Sequence, residues 1–201
     1  MIRNLIFDFG GVLINLDLEA VPKGLLEFGM EMPGQGLLQV SQHYEKGLVN
    51  TREFLEGVSE VVQGSQISDV ERIWNQTIAD FPLQRLEFLE RLKESGRFRM
   101  FLLSNTNELH MEEVQKTMGS TTYDRFCSCF DGFYLSHELG MRKPDREIFQ
   151  FVLNKNTLLP EQTLFIDDTE EHIISASTLG IKTWHLKVGE EDILQLPDKL
   201  H

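Results

Sequence analysis

Apolar residues fall along this chain in two rhythms. Asn4-Leu5-Ile6-Phe7 is a short apolar run that stops at Asp8 and is followed by Gly10-Gly11. That pattern predicts a buried strand entering a tight loop. Similar runs occur at Phe98 to Leu103, which ends at Ser104-Asn105-Thr106, at Thr163 to Ile166, which ends at Asp167-Asp168, and at Ile181 to Leu186. Phe130 to Leu135 can form a further strand.

Between these runs the apolar residues recur at helical spacing. Leu83, Leu86, Leu89 and Leu92 make a stripe that ends near Gly96. Helices are also expected over Glu108 to Met118, Arg146 to Asn154, and Ile173 to Leu179, the last stopped by Gly180. After the last strand the tail reads as polar. Strands alternating with helices imply parallel βαβ units, so the expected fold is α/β, a doubly wound parallel sheet. From about Leu16 to Asp80 no buried strand appears, and only helical periods do. Leu25, Phe28 and Met32 fit one face, Thr51 can cap a segment carrying Phe54, Leu55 and Val58, and Ser68 to Glu71 reads as a capping box. The expected division is a core of residues 1–15 and 82–201 with a helical insertion at 16–81.

Composition narrows the function. The chain has 201 residues, 41% hydrophobic and 25% charged, which is ordinary for a globular protein. No apolar run nears the roughly 20 residues a membrane span needs, and the apolar start is cut by Asp8 without a cleavage-site pattern. A cytoplasmic location is the expectation. Nineteen Lys and Arg stand against 32 Asp and Glu, a formal charge of −13. Such a balance repels nucleic acid and anionic lipid, so neither is an expected partner. An anionic ligand would need positive charge concentrated locally, or a metal. Cys127 and Cys129 are the only cysteines, and free thiols are the expected state. A monomer or weak dimer is expected.

Candidate chemistry gathers where three strands end. In open parallel sheets, ligands bind outside the carboxyl ends of the strands. Asp8, Ser104-Asn105 and Asp167-Asp168 all belong there, and Lys143 can join them. Asp8 and Asp168 with a loop carbonyl would make a modest Mg²⁺ site, because that hard cation takes oxygen ligands. Lys143 and Ser104 would supply donors to phosphate oxygens. A carboxylate beside the metal could attack phosphorus to form an acyl phosphate. Each residue also has a plainer reading. Asp167-Asp168 is a turn signal, Lys143-Pro144 a surface turn, and Ser104 and Asn105 can cap the next helix.

Four segments together make the chain resemble the haloacid-dehalogenase (HAD) superfamily of aspartyl-phosphate phosphatases. They are Phe7-Asp8-Phe9-Gly10-Gly11-Val12-Leu13, Leu103-Ser104-Asn105-Thr106, Gly140-Met141-Arg142-Lys143-Pro144-Asp145 and Phe165-Ile166-Asp167-Asp168. The insertion resembles that family's helical C1-type cap. Leu103 to Asn107, Tyr134 to Pro144, Tyr44 to Gly47 and Trp74 further resemble the bacterial α-D-glucose-1-phosphate phosphatase branch. The resemblance implies Mg²⁺-dependent hydrolysis of a small phosphomonoester, with Asp8 as nucleophile. It implies a metal held by Asp8, the Gly10 carbonyl and Asp168, with Asp167 holding a metal-bound water. Ser104 and Asn105 would bind phosphoryl oxygens, Lys143 would neutralise Asp8 and the phosphate, and Glu45 and Trp74 would meet the substrate from the cap.

One position departs from the family. Most of its phosphatases carry an Asp two residues after the nucleophile as general acid/base, and here that position is Gly10. Acid/base help is worth about 10²–10⁴-fold. A sugar 1-phosphate has an anomeric leaving oxygen less basic than an ordinary alkoxide and needs less of it. His43, Glu45 and His110 are the candidates to orient water instead. Trp74 equally fits a core position in its helical stripe, and His43 and Glu45 equally fit ordinary polar surface. Rival readings are a 2-haloacid dehalogenase, a sugar phosphomutase and a phosphate-binding protein without turnover. Asp167-Asp168 argues against the first, Gly10 against the second and the intact Asp8 against the third.

Overall fold

The computed structural model describes residues 1–30 and 34–200. Five strands, β1 (Asn4–Phe7), β2 (Arg99–Ser104), β3 (Gly132–Leu135), β4 (Thr163–Asp167) and β5 (Lys182–His185), form one sheet. Its order is β3-β2-β1-β4-β5, and every neighbouring pair is parallel. The helices are α1 (Ala20–Leu26), α2 (Gln35–Glu45), α3 (Thr51–Val61), α4 (Ile67–Asn75), α5 (Leu83–Glu94), α6 (Glu108–Met118), α7 (Ser120–Ser128), α8 (Ser136–Leu139), α9 (Arg146–Asn156), α10 (Glu170–Ser177) and α11 (Leu196–Lys199).

The continuous apolar runs of the strands have a direct structural cause. Successive side chains point to opposite faces of a sheet, and both faces here are covered. Leu5, Phe7, Met100, Leu102, Leu164 and Ile166 join one buried cluster with Leu86 and Leu89 of α5, Val114 of α6 and Phe126 of α7. Ile6, Phe101, Leu103 and Phe165 join the other, with Ile148, Phe149 and Val152 of α9 and Ala176 of α10. The sheet is doubly wound, as its sequence pattern predicts.

Helices α1 to α4 gather around a third apolar cluster, built on Leu25, Leu37, Tyr44, Phe54, Val58 and Val70. Leu109 of α6 reaches into it, so this cluster is closed by a residue of the sheet domain. The chain leaves and re-enters the sheet domain through two adjoining segments. Asn15 N–H donates to the Asp80 carbonyl at 3.0 Å, Ala79 N–H to that of Asn15 at 3.1 Å and Asp17 N–H to that of Thr77 at 3.0 Å.

Several local expectations shift. Helix α3 is capped by Asn50 and not by Thr51. Asn50 Oδ1 accepts from Glu53 N–H at 3.0 Å while Glu53 Oε2 accepts from Asn50 N–H at 2.9 Å, a reciprocal box that moves the start by one residue. Helix α4 likewise begins before Ser68, because the Asp69 carboxylate accepts from Gln66 N–H at 2.9 Å. Helix α10 starts at Glu170, ahead of its apolar residues. Met32, expected on the α1 face, lies outside the described residues. Helices α2 and α7 have no counterpart in the apolar rhythm. The tail is more than polar chain: Ile193 and Leu196 are fully buried against the sheet domain. Arg85 of α5 pins it by donating to Asp192 at 2.9 and 3.1 Å.

Candidate active site

Strand register assembles the site. Phe7 of β1 lies opposite Leu102 of β2 and Ile166 of β4, so the residues that follow emerge side by side at one end of the sheet. Asp8 N–H donates to the Ile166 carbonyl at 2.8 Å, which seats Asp8 beside Asp167. Carboxylate oxygens of Asp8, Asp167 and Asp168 all lie within 4.8 Å of one another. Gly11 makes this approach possible. It adopts φ +71°, and a Cβ there would lie 2.4 Å from Asp168 Oδ2.

Lys143 is fully buried and its ammonium contacts two of the three carboxylates, Asp167 at 2.7 Å and Asp8 at 2.8 Å. Burial alone would push the lysine toward its neutral form. The two carboxylates overcome that, and its pKa is raised. Asp167 is also buried, yet Lys143 and His172 hold it down at about 2. His172 Nδ1 lies 3.0 Å from Asp167 Oδ1, and Thr169 N–H donates to the same oxygen at 2.8 Å. Asp8 is pushed up to about 8, by burial first and by the neighbouring Asp167 second. Burial and Asp167 raise Asp168 too. Three carboxylates thus share one ammonium. The excess negative charge and the all-oxygen donor set fit a hard divalent cation.

The two oxygens of Asp8 are not equivalent. Oδ1 receives both the Phe9 N–H at 2.7 Å and the Lys143 ammonium at 2.8 Å. Among the described residues no donor contacts Oδ2, so it is the oxygen open to phosphorus once Asp8 is ionised. Ser104 sits at the end of β2, and among the described residues its hydroxyl makes only a long 3.4 Å contact to the Asn105 carbonyl. Asn105 is placed differently from expectation. Its side-chain oxygen accepts from Lys143 N–H and its side-chain amide donates to the Lys143 carbonyl, each at 2.8 Å. That amide group holds the lysine's backbone. Ser136, fully buried, accepts from Thr106 N–H at 2.9 Å and donates to the Thr106 carbonyl at 3.0 Å, pinning the loop after β2.

The residues expected to face the substrate from the insertion are engaged elsewhere. Glu45 pairs with Arg142, whose Nη2 and Nε lie 2.9 and 3.1 Å from one carboxylate oxygen. Trp74 stacks on His110 with ring centroids 5.1 Å apart, packs against Phe54, and donates its indole N–H to Asn107 at 3.3 Å. His110 itself is bonded to the Trp74 carbonyl at 3.1 Å, and burial drives its pKa down to about 4. His43 is exposed. Gly10 offers no side chain, and the place where one would project is filled by Leu16, whose Cδ1 would lie 2.7 Å from a Cβ. Sequence reasoning missed His172 as the partner of Asp167. A histidine one helical turn beyond the paired aspartates was its only available signal.

Comparison with known proteins bears on the family and the fold. The family described as haloacid dehalogenase-like hydrolase matches residues 2–180. A D-ribitol-5-phosphate phosphatase of Bacteroides thetaiotaomicron is 27% identical over 198 residues, covering 95% of each chain. A HAD family enzyme of the same organism, crystallised with magnesium and inorganic phosphate, superimposes with a TM-score of 0.80 at 34% identity, covering 95% of this chain and 97% of its own. A HAD-like hydrolase of Porphyromonas gingivalis has a TM-score of 0.82 at 28% identity, covering 100% and 98%.

Proposed function

The chain belongs to the haloacid dehalogenase-like hydrolases, and from that premise we propose that it is a Mg²⁺-dependent phosphatase of a small phosphomonoester, working through an aspartyl phosphate on Asp8. The observation that carries this reading is the cluster itself: Asp8 held through Oδ1, with no donor on Oδ2 among the described residues, two further carboxylates within 4.8 Å, and a buried lysine against two of the three. Asp8, the Gly10 carbonyl, Asp168 and Asp167 would hold the metal. When bound, magnesium acts as a Lewis acid that neutralises charge on the transferring phosphoryl group.

The chain's own residues do the rest. Asp8 attacks phosphorus, and the bond from phosphorus to the ester oxygen breaks. Lys143, fixed by Asn105 at its backbone and by Asp167 at its ammonium, offsets charge on Asp8 and the phosphoryl oxygens. The Ser104 hydroxyl is a further donor to those oxygens. Water then attacks phosphorus, releasing inorganic phosphate and restoring the Asp8 carboxylate. Residues 16–81 act as the cap that shields this chemistry from bulk water.

The finer reading is a sugar phosphate, with α-D-glucose 1-phosphate as the favoured substrate. Its support is the supply of protons. Leu16 fills the place of a side chain at Gly10, His110 is half-buried and bonded, Glu45 is paired and His43 is exposed. A leaving oxygen that departs without a proton suits such a site, and an anomeric oxygen is one. The substrate proposed here differs in its leaving oxygen from the D-ribitol 5-phosphate that one homologue is named for.

Phosphate release from both anomers of glucose 1-phosphate, several sugar 6-phosphates, nucleotides and an aryl phosphate, with Mg²⁺ and with a chelator, tests both levels. Metal-dependent release favouring the α-1-phosphate is expected, and Asp8→Asn should abolish it in a folded protein. Faster turnover of simple alkyl phosphates would sink the leaving-group argument. Release that survives Asp8→Asn would sink the mechanism.

A further inference from the structure

The loop that presents Lys143 is gripped from two sides. Inside, the Asn105 amide bonds both the N–H and the carbonyl of Lys143 at 2.8 Å. Outside, the C-terminal end of α2 lies across the same loop. Glu45 pairs with Arg142 at 2.9 Å, and Lys46 pairs with Asp145 at 2.8 Å. The charges are crossed. The insertion offers a minus then a plus, and the loop offers a plus then a minus, with Lys143 between them. Side by side, the two pairs admit one register. Gly47 completes the contact with its backbone: at φ +63°, a Cβ would lie 2.1 Å from the His137 carbonyl oxygen.

We propose that Glu45 and Arg142, supported by Lys46 and Asp145, form a clasp that couples closure of the helical insertion to the placement of the Lys143 ammonium against Asp8. Glu45 and Arg142 are positioning residues, since they act through Lys143 and need not touch substrate. The Glu45 and Arg142 side chains are 23% and 21% exposed, so the pair is largely shielded from water and breaking it also costs some stability. A small displacement of a catalytic group, in contrast, costs rate heavily. The clasp therefore acts on turnover beyond its modest part in stability. An insertion that swings away breaks both pairs and frees the outer side of the lysine loop, so the lysine is fully set only when the site is covered.

The proposal rests on the phosphatase reading, and one set of kinetics separates the two. Turnover of an activated aryl phosphate with Mg²⁺ would be measured for the wild-type chain, Glu45→Gln, Arg142→Gln and the charge-swapped pair Glu45→Arg with Arg142→Glu. Each single substitution should lower kcat by about 10- to 100-fold, with KM nearly unchanged and the protein still folded at the assay temperature by its thermal unfolding midpoint. The swapped pair should recover most of the loss. A loss carried by KM alone would overturn the clasp and return Glu45 to a substrate contact. A swapped pair no better than the worse single variant would also overturn it, as would unchanged kcat in all variants. No phosphate release from the wild-type chain would instead overturn the phosphatase reading itself.

Discussion

At the scale of single residues, one buried ammonium, that of Lys143, lies against both Asp8 and Asp167. Asp8 and Lys143 stand out in the sequence because a charge ends an apolar strand or precedes a proline, and the structure brings both to one point. Asn105 was equally visible, yet its side chain braces Lys143. The difference is that a hydrogen bond depends on which atoms meet across 38 residues of chain, and no local pattern encodes that. Gly11 is the sharpest single-residue constraint. It is held at φ +71°, with a would-be Cβ 2.4 Å from Asp168 Oδ2. Gly11→Ala adds strain of about 1–2 kcal/mol and displaces Asp168. Turnover should fall by about 100-fold, and the Mg²⁺ concentration needed for half-maximal rate should rise. An unaltered Mg²⁺ dependence would count against Asp168 as a metal ligand.

Elements follow local rules until a neighbour overrides them. The strands were legible because both of their faces are buried, which turns each into an unbroken apolar run. Helix α2 was not, since it buries only Leu37 and Tyr44 among eleven residues. Helix α7 starts on Ser120, Thr121 and Thr122, which do not read as a helix alone. The tail was misread for a related reason. Ile193, Leu196 and Leu200 are spaced three and four apart, but the run is short and set among charged residues; Ile193 and Leu196 are each fully buried. The tail is therefore part of the core. Ile193→Ala should cost about 2–5 kcal/mol in equilibrium urea unfolding, by lost burial plus a cavity. A loss within about 0.5 kcal/mol, the range of ordinary surface changes, would mean the tail is only loosely attached.

Over the whole molecule, the sheet domain and the insertion are joined by polar and aromatic contacts at the N-terminal end of α6. Leu109 enters the insertion's apolar cluster, Thr51 bonds Glu108, and Trp74 stacks on His110. His110 gives this junction a pH signature. Burial lowers its pKa from 6.5 to about 4 in the folded chain, so between those values the unfolded chain takes up a proton that the folded chain refuses. Stability is fully present above the unfolded value and is lost as pH falls toward 4, by about 3 kcal/mol from this residue. Urea midpoints measured from pH 7 to 4 should fall less steeply for His110→Gln than for the wild-type chain. Parallel curves for the two proteins would show that the junction does not exclude the charged imidazole.

Sequence alone determined the alternation of strands and helices, the helical stretch after the first strand, and the gathering of Asp8, Ser104 and the Asp167-Asp168 pair at one end of a parallel sheet. Those conclusions needed only the spacing of apolar residues and the place where each run stops, and both are local. Tertiary structure decided the rest: that Glu45 meets Arg142, that Trp74 meets His110 and Asn107, that His172 supports Asp167, and that Leu16 fills the place of a side chain at Gly10. Each of these joins segments whose approach is set by how the apolar clusters pack. The charge, the size and the partner of a polar group become a function only after that packing has chosen its neighbours.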